Sequence, residues 1–410
     1  MTIDEQYTPA ADIPAEEIHR RIIRLQHRMN QAGVEGMLLS QNIDLLYFTG
    51  TMQSGYAFIP ATGSPKLYIR RSVDRARQES IVDVQELTSF RQLLASLQED
   101  YPNLCSSGRE GVIGADLDVM PAGLYLKLQE MVGPVALTDG SALIREVRMV
   151  KSAWEIERIE RAAAVTAASL EESLNYLKPG ITELDWMARL EYEMRLRGHI
   201  GVMRMRGYNQ EIVTGVVSSG AAAAVPTYFD GPAGGLGMGA AAPQGVSRKI
   251  IGINEPILID IGCCVDGYVI DQTRTAVIGE LPDDLMQAFS TSVMVIRKLE
   301  PLMVAGTAAS ELYTESLRIS AEAGLEANFM GSGKDQARFI GHGIGLEIDE
   351  WPVLARGFSH PLTPGMVLAV EPKYVYPGRG VVGLENTYVV TNGTPRVLTR
   401  TREELITVSY

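Results

Sequence analysis

The stretch LIDIGCCVDGYVIDQTRTAVIG, residues 258–279, contains two apolar runs on either side of Asp266-Gly267. Asp-Gly is a common two-residue hairpin turn, so the stretch predicts a pair of antiparallel strands. Asp260 lies in the first run and Asp271 in the second, and folding the hairpin brings them to opposite or diagonal positions. A carboxylate in an apolar strand loses hydration, and two carboxylates brought together repel each other. A bound cation would relieve both costs, so the hairpin predicts a metal site.

A second pair of carboxylates follows the same pattern nearer the C-terminus. Glu371 lies in the apolar run MVLAVEP, and Glu385 lies in VVGLENTYVV. The link at residues 376–380 is rich in turn-forming residues, so a second hairpin is predicted to bring these two carboxylates together. Between the two hairpins stands GHGIGLE, residues 341–347, where glycines on both sides of His342 allow the backbone to approach a site closely.

Four carboxylates and one imidazole predict a centre for two divalent metal ions. Oxygen-rich ligation with a single histidine suits Mn, Fe, Co or Zn, and pairs of such ions assist hydrolysis. The four carboxylates carry −4, which two divalent ions balance and one ion does not. An acid in a strand is more often a structural group than a ligand, so the prediction depends on all five residues together. The chain offers few other imidazoles, since its histidines are His19, His27, His199, His342 and His360.

Composition excludes several classes of partner. The 410 residues include 37 Lys and Arg against 50 Asp and Glu, a net charge of −13. This balance argues against nucleic acid and against an anionic membrane surface, since both attract basic proteins. The N-terminus lacks the pattern of a secretory signal, and no apolar run has the length of a transmembrane helix. Three cysteines without framework spacing suit a reducing compartment, so we expect a cytoplasmic protein.

The length and the pattern of elements predict two domains, at residues 1–150 and 151–410. The first alternates predicted helices and strands, as an α/β domain does: a helix over 16–33, strands at GMLLS, LLYFTG and PKLYIRR, and helices over 86–98 and 119–131. The second begins with helices over 153–177 and 182–197 and has two more within 282–326, and its last ninety residues read as short strands and turns. We therefore expect an α/β domain followed by an α+β domain.

An uncharged segment of Gly, Ala and Pro interrupts the second domain at residues 219–247. Its composition is incompatible with a regular helix or a central strand. Solvated linkers are usually more polar, which favours a loop that lies against a ligand or a partner chain over a flexible linker. We expect this loop to contribute to a homodimer interface.

Residues 150–400 resemble the pita-bread metallohydrolases, the group of aminopeptidase P, prolidase, methionine aminopeptidase and the metal-free creatinase. The resemblance lies in DIG…DQTRT, HGIG, AVEP and GLEN, in the order and spacing of that family. It implies a pita-bread catalytic domain, and the N-terminal GVEGMLLSQNIDLLYFTG looks like the creatinase-type amino-terminal domain. It also implies Glu371 as the general base. The metal ligands that it implies are Asp260, Asp271, His342, Glu371 and Glu385.

Three positions depart from the family pattern. Prolidases and aminopeptidases carry two histidines that bind substrate and stabilise the intermediate, and this chain has Thr227 and Asp349 in their places. An arginine just before the last ligand is Gly383 here. An ionised Asp349 cannot donate a hydrogen bond, but it could bind a cationic group of the substrate. We expect Asp349 to be a catalytic residue together with Glu371, and Thr227, Tyr374 and His360 to bind substrate. The candidates for replacing the lost donors are His360, Tyr374, His199 and Arg338.

Three functions fit these observations. The first is Xaa-Pro dipeptidase or aminopeptidase activity, as the resemblance implies. The second is a different C–N hydrolase or lyase acting on small osmolyte-like substrates, similar to ectoine hydrolase or dimethylsulfoniopropionate lyase, which the altered substrate residues favour. The third is a catalytically silent interaction protein, which the retention of all five ligand residues disfavours because a binding role does not require buried carboxylates.

Overall fold

A computed structural model describes residues 13–102, 111–132 and 135–409 of the protein. The chain divides into two compact units, Met1–Arg148 and Met149–Tyr410. In the described ranges no helix is long and apolar enough to cross a membrane. Cys263 and Cys264 are both buried free thiols, whereas Cys105 lies outside the described residues.

The N-terminal unit is built on a mixed six-stranded sheet in the order β4-β3-β2-β1-β5-β6. Its strands are β1 (Gly36–Leu39), β2 (Gly55–Pro60), β3 (Lys66–Ile69), β4 (Asp83–Glu86), β5 (Val112–Ala115) and β6 (Ala136–Asp139). Its helices are α1 (Ala15–Ala32), α2 (Asn42–Thr49), α3 (Val73–Glu79), α4 (Gln92–Asp100), α5 (Ala122–Val132) and α6 (Ser141–Met149). Parallel pairing of β1 with β5 and of β5 with β6 gives this unit its α/β character.

The prediction of a strand at LLYFTG is wrong, because this run forms most of helix α2. The helix is capped by the Gln41 side chain, which accepts a hydrogen bond from the Asp44 backbone N–H, and it ends at Gly50 in the left-handed conformation. The Asp44 carboxylate is buried and pairs with Arg148 at 2.9 Å. A short run that is apolar on all sides has no periodicity with which to separate a strand from a buried helix.

The C-terminal unit combines helices with three antiparallel or mixed sheets. Among the described residues the helices are α7 (Ala153–Ser173), α8 (Glu183–Leu196), α9 (Asp283–Leu299) and α10 (Ala309–Glu322). One sheet has the order β17-β9-β8-β7, with β7 (Gly215–Ser219), β8 (Pro256–Val265), β9 (Tyr268–Ile278) and β17 (Ile406–Val408). A second has the order β11-β10-β12-β15-β16, with β10 (Phe339–Gly343), β11 (Glu350–Ala355), β12 (Val367–Val370), β15 (Asn386–Val389) and β16 (Arg396–Val397). The third is the two-stranded ribbon of β13 (Lys373–Tyr376) and β14 (Gly380–Gly383).

The two predicted hairpins are both present and set the positions of the acids. In the first, β8 pairs with β9 through a turn in which Asp266 and Gly267 have φ of 52° and 87°, as a two-residue hairpin turn requires. Asp260 lies opposite Thr273 and Asp271 lies opposite Gly262, so the two acids are diagonal neighbours on one face. The second is the ribbon of β13 and β14.

The Gly/Ala/Pro segment packs against its own domain. Ala223 and Ala233 are buried in a small apolar cluster with Val216, Leu258 and residues of the β13–β14 ribbon. Small side chains allow this close packing, so the loop has an ordered path without contact from a second chain. Its composition alone therefore gives no argument for a dimer.

Candidate metal centre

Three side chains from separate segments of the chain meet in the C-terminal unit. One potential ligand atom each from Asp271, His342 and Glu385 lies within 4.8 Å of the others, and all three side chains are buried. Asp271 comes from β9, His342 from β10, and Glu385 from the bend between β14 and β15. Residues far apart in the chain thus place two carboxylates and an imidazole around one point.

Strand register also brings in the other two predicted ligands. Glu371 follows β12 and faces His342, with 3.7 Å between its Oε1 and the imidazole Nε2. Asp260, diagonal to Asp271 on the hairpin, lines the same cavity as Asp271, His342 and Glu371. The structure therefore gathers all five side chains that the sequence singled out. Their role as ligands remains a prediction.

A lysine that the sequence analysis missed lies in the middle of these acids. The Lys373 side chain is fully buried, and its ammonium donates to Glu371 Oε2 at 2.5 Å and to Glu385 Oε2 at 3.1 Å. It also lies 3.2 Å from Asp260 Oδ2. Side chains two residues apart on a strand share a face, so a lysine two residues after Glu371 was a readable signal. A lysine is almost never buried without a partner, which strengthens that signal.

The negative charge of the four clustered carboxylates is only partly balanced by the protein. Burial raises the pKa of Asp271 well above its usual range, and the neighbouring Glu385 and Asp260 raise it further. Burial also raises the pKa of Glu371 to about 7, although Lys373 opposes this shift. Burial lowers the pKa of Lys373, but its three carboxylate partners outweigh that effect and keep it protonated. One ammonium therefore leaves the group of four carboxylates with a charge deficit that a metal cation would remove.

The remaining free atoms fit a divalent ion. Glu385 Oε2 accepts hydrogen bonds from Thr273 and Lys373, whereas Oε1 is buried and has no hydrogen-bond partner among the described residues. His342 Nδ1 lies 3.0 Å from the Gly343 carbonyl oxygen, so an N–H there leaves the Nε2 lone pair facing the acids. Carboxylate oxygens with one imidazole suit Mn, Fe, Co or Zn. Asp271, His342, Glu371 and Glu385 would hold such an ion.

The cavity above the cluster is acidic. Among the described residues that line it there is no arginine or lysine, while Asp230 and Asp349 join the cluster acids and Phe229, Phe339 and Ile348 supply apolar walls. Asp349 is 44% exposed, and its Oδ1 lies 3.3 Å from His342 Nδ1. A carboxylate in this position orients a ligand histidine and makes it a better donor to a metal. Asp349 therefore both contacts His342 and offers negative charge to the cavity.

The other predicted substrate residues lie elsewhere. Thr227 lines an adjacent cavity that shares residues 229–232 with the first, and its hydroxyl has no hydrogen-bond partner among the described residues. Tyr374 is buried in the hydrophobic core, with its hydroxyl 2.9 Å from Ser320. His360 is exposed beside Trp351 and does not line the cavity. These placements argue against Tyr374 and His360 as substrate ligands.

The two remaining replacement donors also fail to reach the cavity. His199 is buried with Nδ1 accepting a hydrogen bond from the Cys264 backbone N–H at 3.0 Å, so that ring nitrogen is occupied by the protein itself. Arg338 is exposed and is absent from the described lining of the cavity. None of the four candidate replacement donors lines the described cavity, and Asp349 stands at one of the two positions where a donor was expected.

The fold and the buried cluster together define a metallohydrolase. The model of Metallopeptidase family M24 matches residues 157–392, more than half of the chain, and that of the Creatinase/Prolidase N-terminal domain matches residues 21–150. The protein therefore belongs to metallopeptidase family M24. This confirms the predicted fold class, an α/β creatinase-type domain followed by a pita-bread catalytic domain.

Relatives and solved structures agree with this placement. A solved structure of an Xaa-Pro dipeptidase from Bacillus anthracis is 25% identical, with a TM-score of 0.80 over 95% of this chain and 100% of that one. A probable dipeptidase, PepE, from Mycobacterium bovis is 28% identical over 405 residues, covering 96% of this chain and 97% of that protein. An Xaa-Pro dipeptidase from Pyrococcus horikoshii is 24% identical over 391 residues, covering 95% and 99%.

Proposed function

We propose that the protein is an Xaa-Pro dipeptidase or aminopeptidase, hydrolysing the amide bond of a short peptide. The observation that carries this proposal is the buried group of Asp271, His342 and Glu385, with ligand atoms within 4.8 Å of one another. Two of its members, Asp271 and His342, line the cavity. The names of the M24 relatives support the peptide substrate. The acidic cavity suits the protonated amino group of such a substrate.

The chain supplies defined groups for this reaction. A bound divalent ion lowers the pKa of water and polarises a carbonyl. Glu371 is the proposed general base, since its pKa near 7 lets it accept a proton from water and pass it to the leaving amine. Lys373 holds Oε2 of Glu371 and leaves Oε1 on the side of His342. Asp230 and Asp349 line the cavity and are the proposed binding groups for the cationic end of the substrate.

The second candidate is a C–N hydrolase or lyase for a small cationic, osmolyte-like substrate. It is favoured by the same cavity, in which Asp349 replaces a family histidine and described basic side chains are absent from the lining. Losing one preorganised donor to an oxyanion typically costs about 10²–10³ in turnover. Two such losses would leave a poor prolidase unless other groups compensate.

Measuring kcat/KM of the metal-loaded enzyme distinguishes the two candidate functions. If kcat/KM on Xaa-Pro dipeptides exceeds about 10⁴ M⁻¹s⁻¹, the low end of typical enzymes, the altered residues do not indicate a new substrate. A lower value, together with turnover of small cationic amides in the same screen, supports the second candidate. The paired substitution Thr227→His with Asp349→His is then expected to raise peptide turnover. The single substitution Asp349→Asn is the control that removes the charge without adding a donor.

We also propose a homodimer, on a different basis from the loop composition. The segment 200–236 exposes large apolar side chains near the cavity, with Tyr208 89% exposed, Tyr228 58% and Leu236 50% exposed. A second copy of the chain would remove this apolar surface from water. Light scattering at micromolar concentration is expected to give about twice the 44.7 kDa of one chain. A monomer mass under those conditions contradicts the proposal, and Tyr208→Ser with Leu236→Ser should weaken the dimer.

For the compartment we propose the reducing cytoplasm. Burial raises the pKa of Cys263 and of Cys264 to about 12, so both thiols are protonated and unreactive at neutral pH. Neither forms a disulfide. The two therefore serve as small apolar side chains, a use that requires no oxidising environment.

A further inference from the structure

We propose that the Lys373 ammonium occupies the position of a second cation, so that each chain binds one divalent ion instead of two. The ammonium lies 3.2 Å from Asp260 Oδ2, 2.5 Å from Glu371 Oε2 and 3.1 Å from Glu385 Oε2. Three carboxylates around one point are what a metal ion would need there. The inference concerns the number of cations and holds for either candidate substrate.

The ligand atoms divide into two sets. Lys373 takes one oxygen from each of its three acid partners, and Thr273 also donates to Glu385 Oε2. The atoms left over are Glu385 Oε1, Glu371 Oε1, Asp260 Oδ1, His342 Nε2 and the Asp271 carboxylate. Among the described residues, Asp271, His342 and Glu385 form the group whose ligand atoms lie within 4.8 Å of one another. The first set of atoms is paired with the Lys373 ammonium, and the second set is available to a metal ion. The structure thus offers ligands for a single ion.

The backbone makes room for the lysine at a position where the sequence departs from its family. Lys373 and Gly383 face each other across the β13–β14 ribbon. A Cβ on residue 383 would come within 2.7 Å of Lys373 Cγ and 2.8 Å of the Pro372 carbonyl oxygen. Glycine at 383, in place of the family's arginine, therefore fits the buried stem of Lys373.

Repulsion from the ammonium supports the same count. The four carboxylates carry −4, so Lys373 leaves −1 with one divalent ion and +1 with two, and the sum alone does not choose between the counts. A second divalent ion would bring a charge of +2 against an ammonium that is fully buried and cannot retreat to solvent. The expectation of two ions came from the carboxylates alone and omitted this lysine.

The test is the metal stoichiometry of the full-length protein, which does not depend on activity. Protein freed of metal with EDTA is titrated with MnCl₂ by calorimetry, and bound manganese is counted by elemental analysis after desalting. Wild type is expected to bind one ion, with the electron paramagnetic resonance spectrum of an isolated Mn²⁺. Lys373→Ala is expected to bind two, with the spectrum of a coupled pair.

Matched variants show whether the number of bound ions depends on the charge of Lys373, on the volume of its side chain, or on the loss of any buried lysine. Lys373→Met keeps most of the volume without the charge and is expected to stay at one ion. Lys151→Ala removes another fully buried lysine, whose Nζ lies 3.0 Å from Glu350 Oε2 and which does not contact the cluster acids. This variant is also expected to bind one ion. Gly383→Ala displaces the Lys373 stem and is expected to bind more than one ion. Gly393→Ala, where no atom lies within 4 Å of the added Cβ, stays at one.

Each outcome decides the proposal. Two ions in the wild type, or none, overturns it. One ion in both wild type and a folded Lys373→Ala overturns the role of the lysine. If Lys373→Ala does not fold, as judged by circular dichroism, Gly383→Ala decides: two ions support the proposal and one ion refutes it. A failure here leaves the proposed peptidase activity untouched, because that activity is measured separately.

Discussion

Replacing Asp271 by alanine is expected to abolish both metal binding and hydrolysis. Asp271 is buried on β9 and is the one acid of the cluster without an ion pair to Lys373 among the described residues. Its carboxylate makes no direct ion pair with the lysine, so its oxygens remain available to a metal. Burial raises the pKa of Asp271 well above its usual range, and the neighbouring Glu385 and Asp260 raise it further.

The measurement combines MnCl₂ titration with hydrolysis of an Xaa-Pro dipeptide or of whichever substrate the screen identifies. Asp283→Ala, which removes an exposed acid from the first turn of α9, is the control for loss of one negative charge. Circular dichroism reports whether each variant is folded. A folded Asp271→Ala protein that still binds manganese as tightly as the wild type would show that Asp271 is a structural acid.

The second large effect is expected for Glu371→Gln, with a fall in kcat of about 10²–10⁴. Glutamine keeps the shape of the side chain and one oxygen, but it cannot accept the proton of a water molecule. The Lys373 ammonium can still donate to the amide oxygen, so the neighbouring contacts are largely preserved. We expect KM to change far less than kcat, because the lost interaction is made during proton transfer.

Glu347→Gln is the matched control for this variant. Glu347 is as buried as the cluster acids and lies in the loop after β10, but it does not line the described cavity. Manganese binding must be measured alongside kcat, since Glu371 is also a predicted ligand. If Glu371→Gln keeps its metal and retains a kcat within about threefold of the wild type, proton transfer belongs to another group.

Local chemistry explains why so much could be predicted before the structure. The Asp266-Gly267 turn fixes the register of the β8–β9 hairpin, and that register places Asp260 and Asp271 on one face. Each predicted ligand is an acid or a histidine in an apolar or glycine-rich run, a pattern that stands out because burial of charge is costly. These features are local, so the sequence alone contains them.

Tertiary structure decided what local patterns leave open. The run LLYFTG is apolar throughout, and only packing made it a helix instead of a strand. Tyr374 and Lys373 are neighbours on β13, so their side chains point to opposite faces: the tyrosine to the core and the lysine to the acids.

The sequence by itself predicted the family through the resemblance of its motifs, and two domains through its length and pattern of elements. It predicted the five candidate ligands because each is an acid or a histidine in an apolar or glycine-rich run. It could not determine where the Lys373 ammonium lies. That position depends on Asp260, Glu371 and Glu385 coming together from separate segments of the chain. It also depends on Gly383, which leaves space for the lysine across the β13–β14 ribbon. The spacing of Lys373 from Glu371 was readable, but its contacts with Asp260 and Glu385 join distant segments and exist only in the folded chain, where they set the charge of the candidate metal centre.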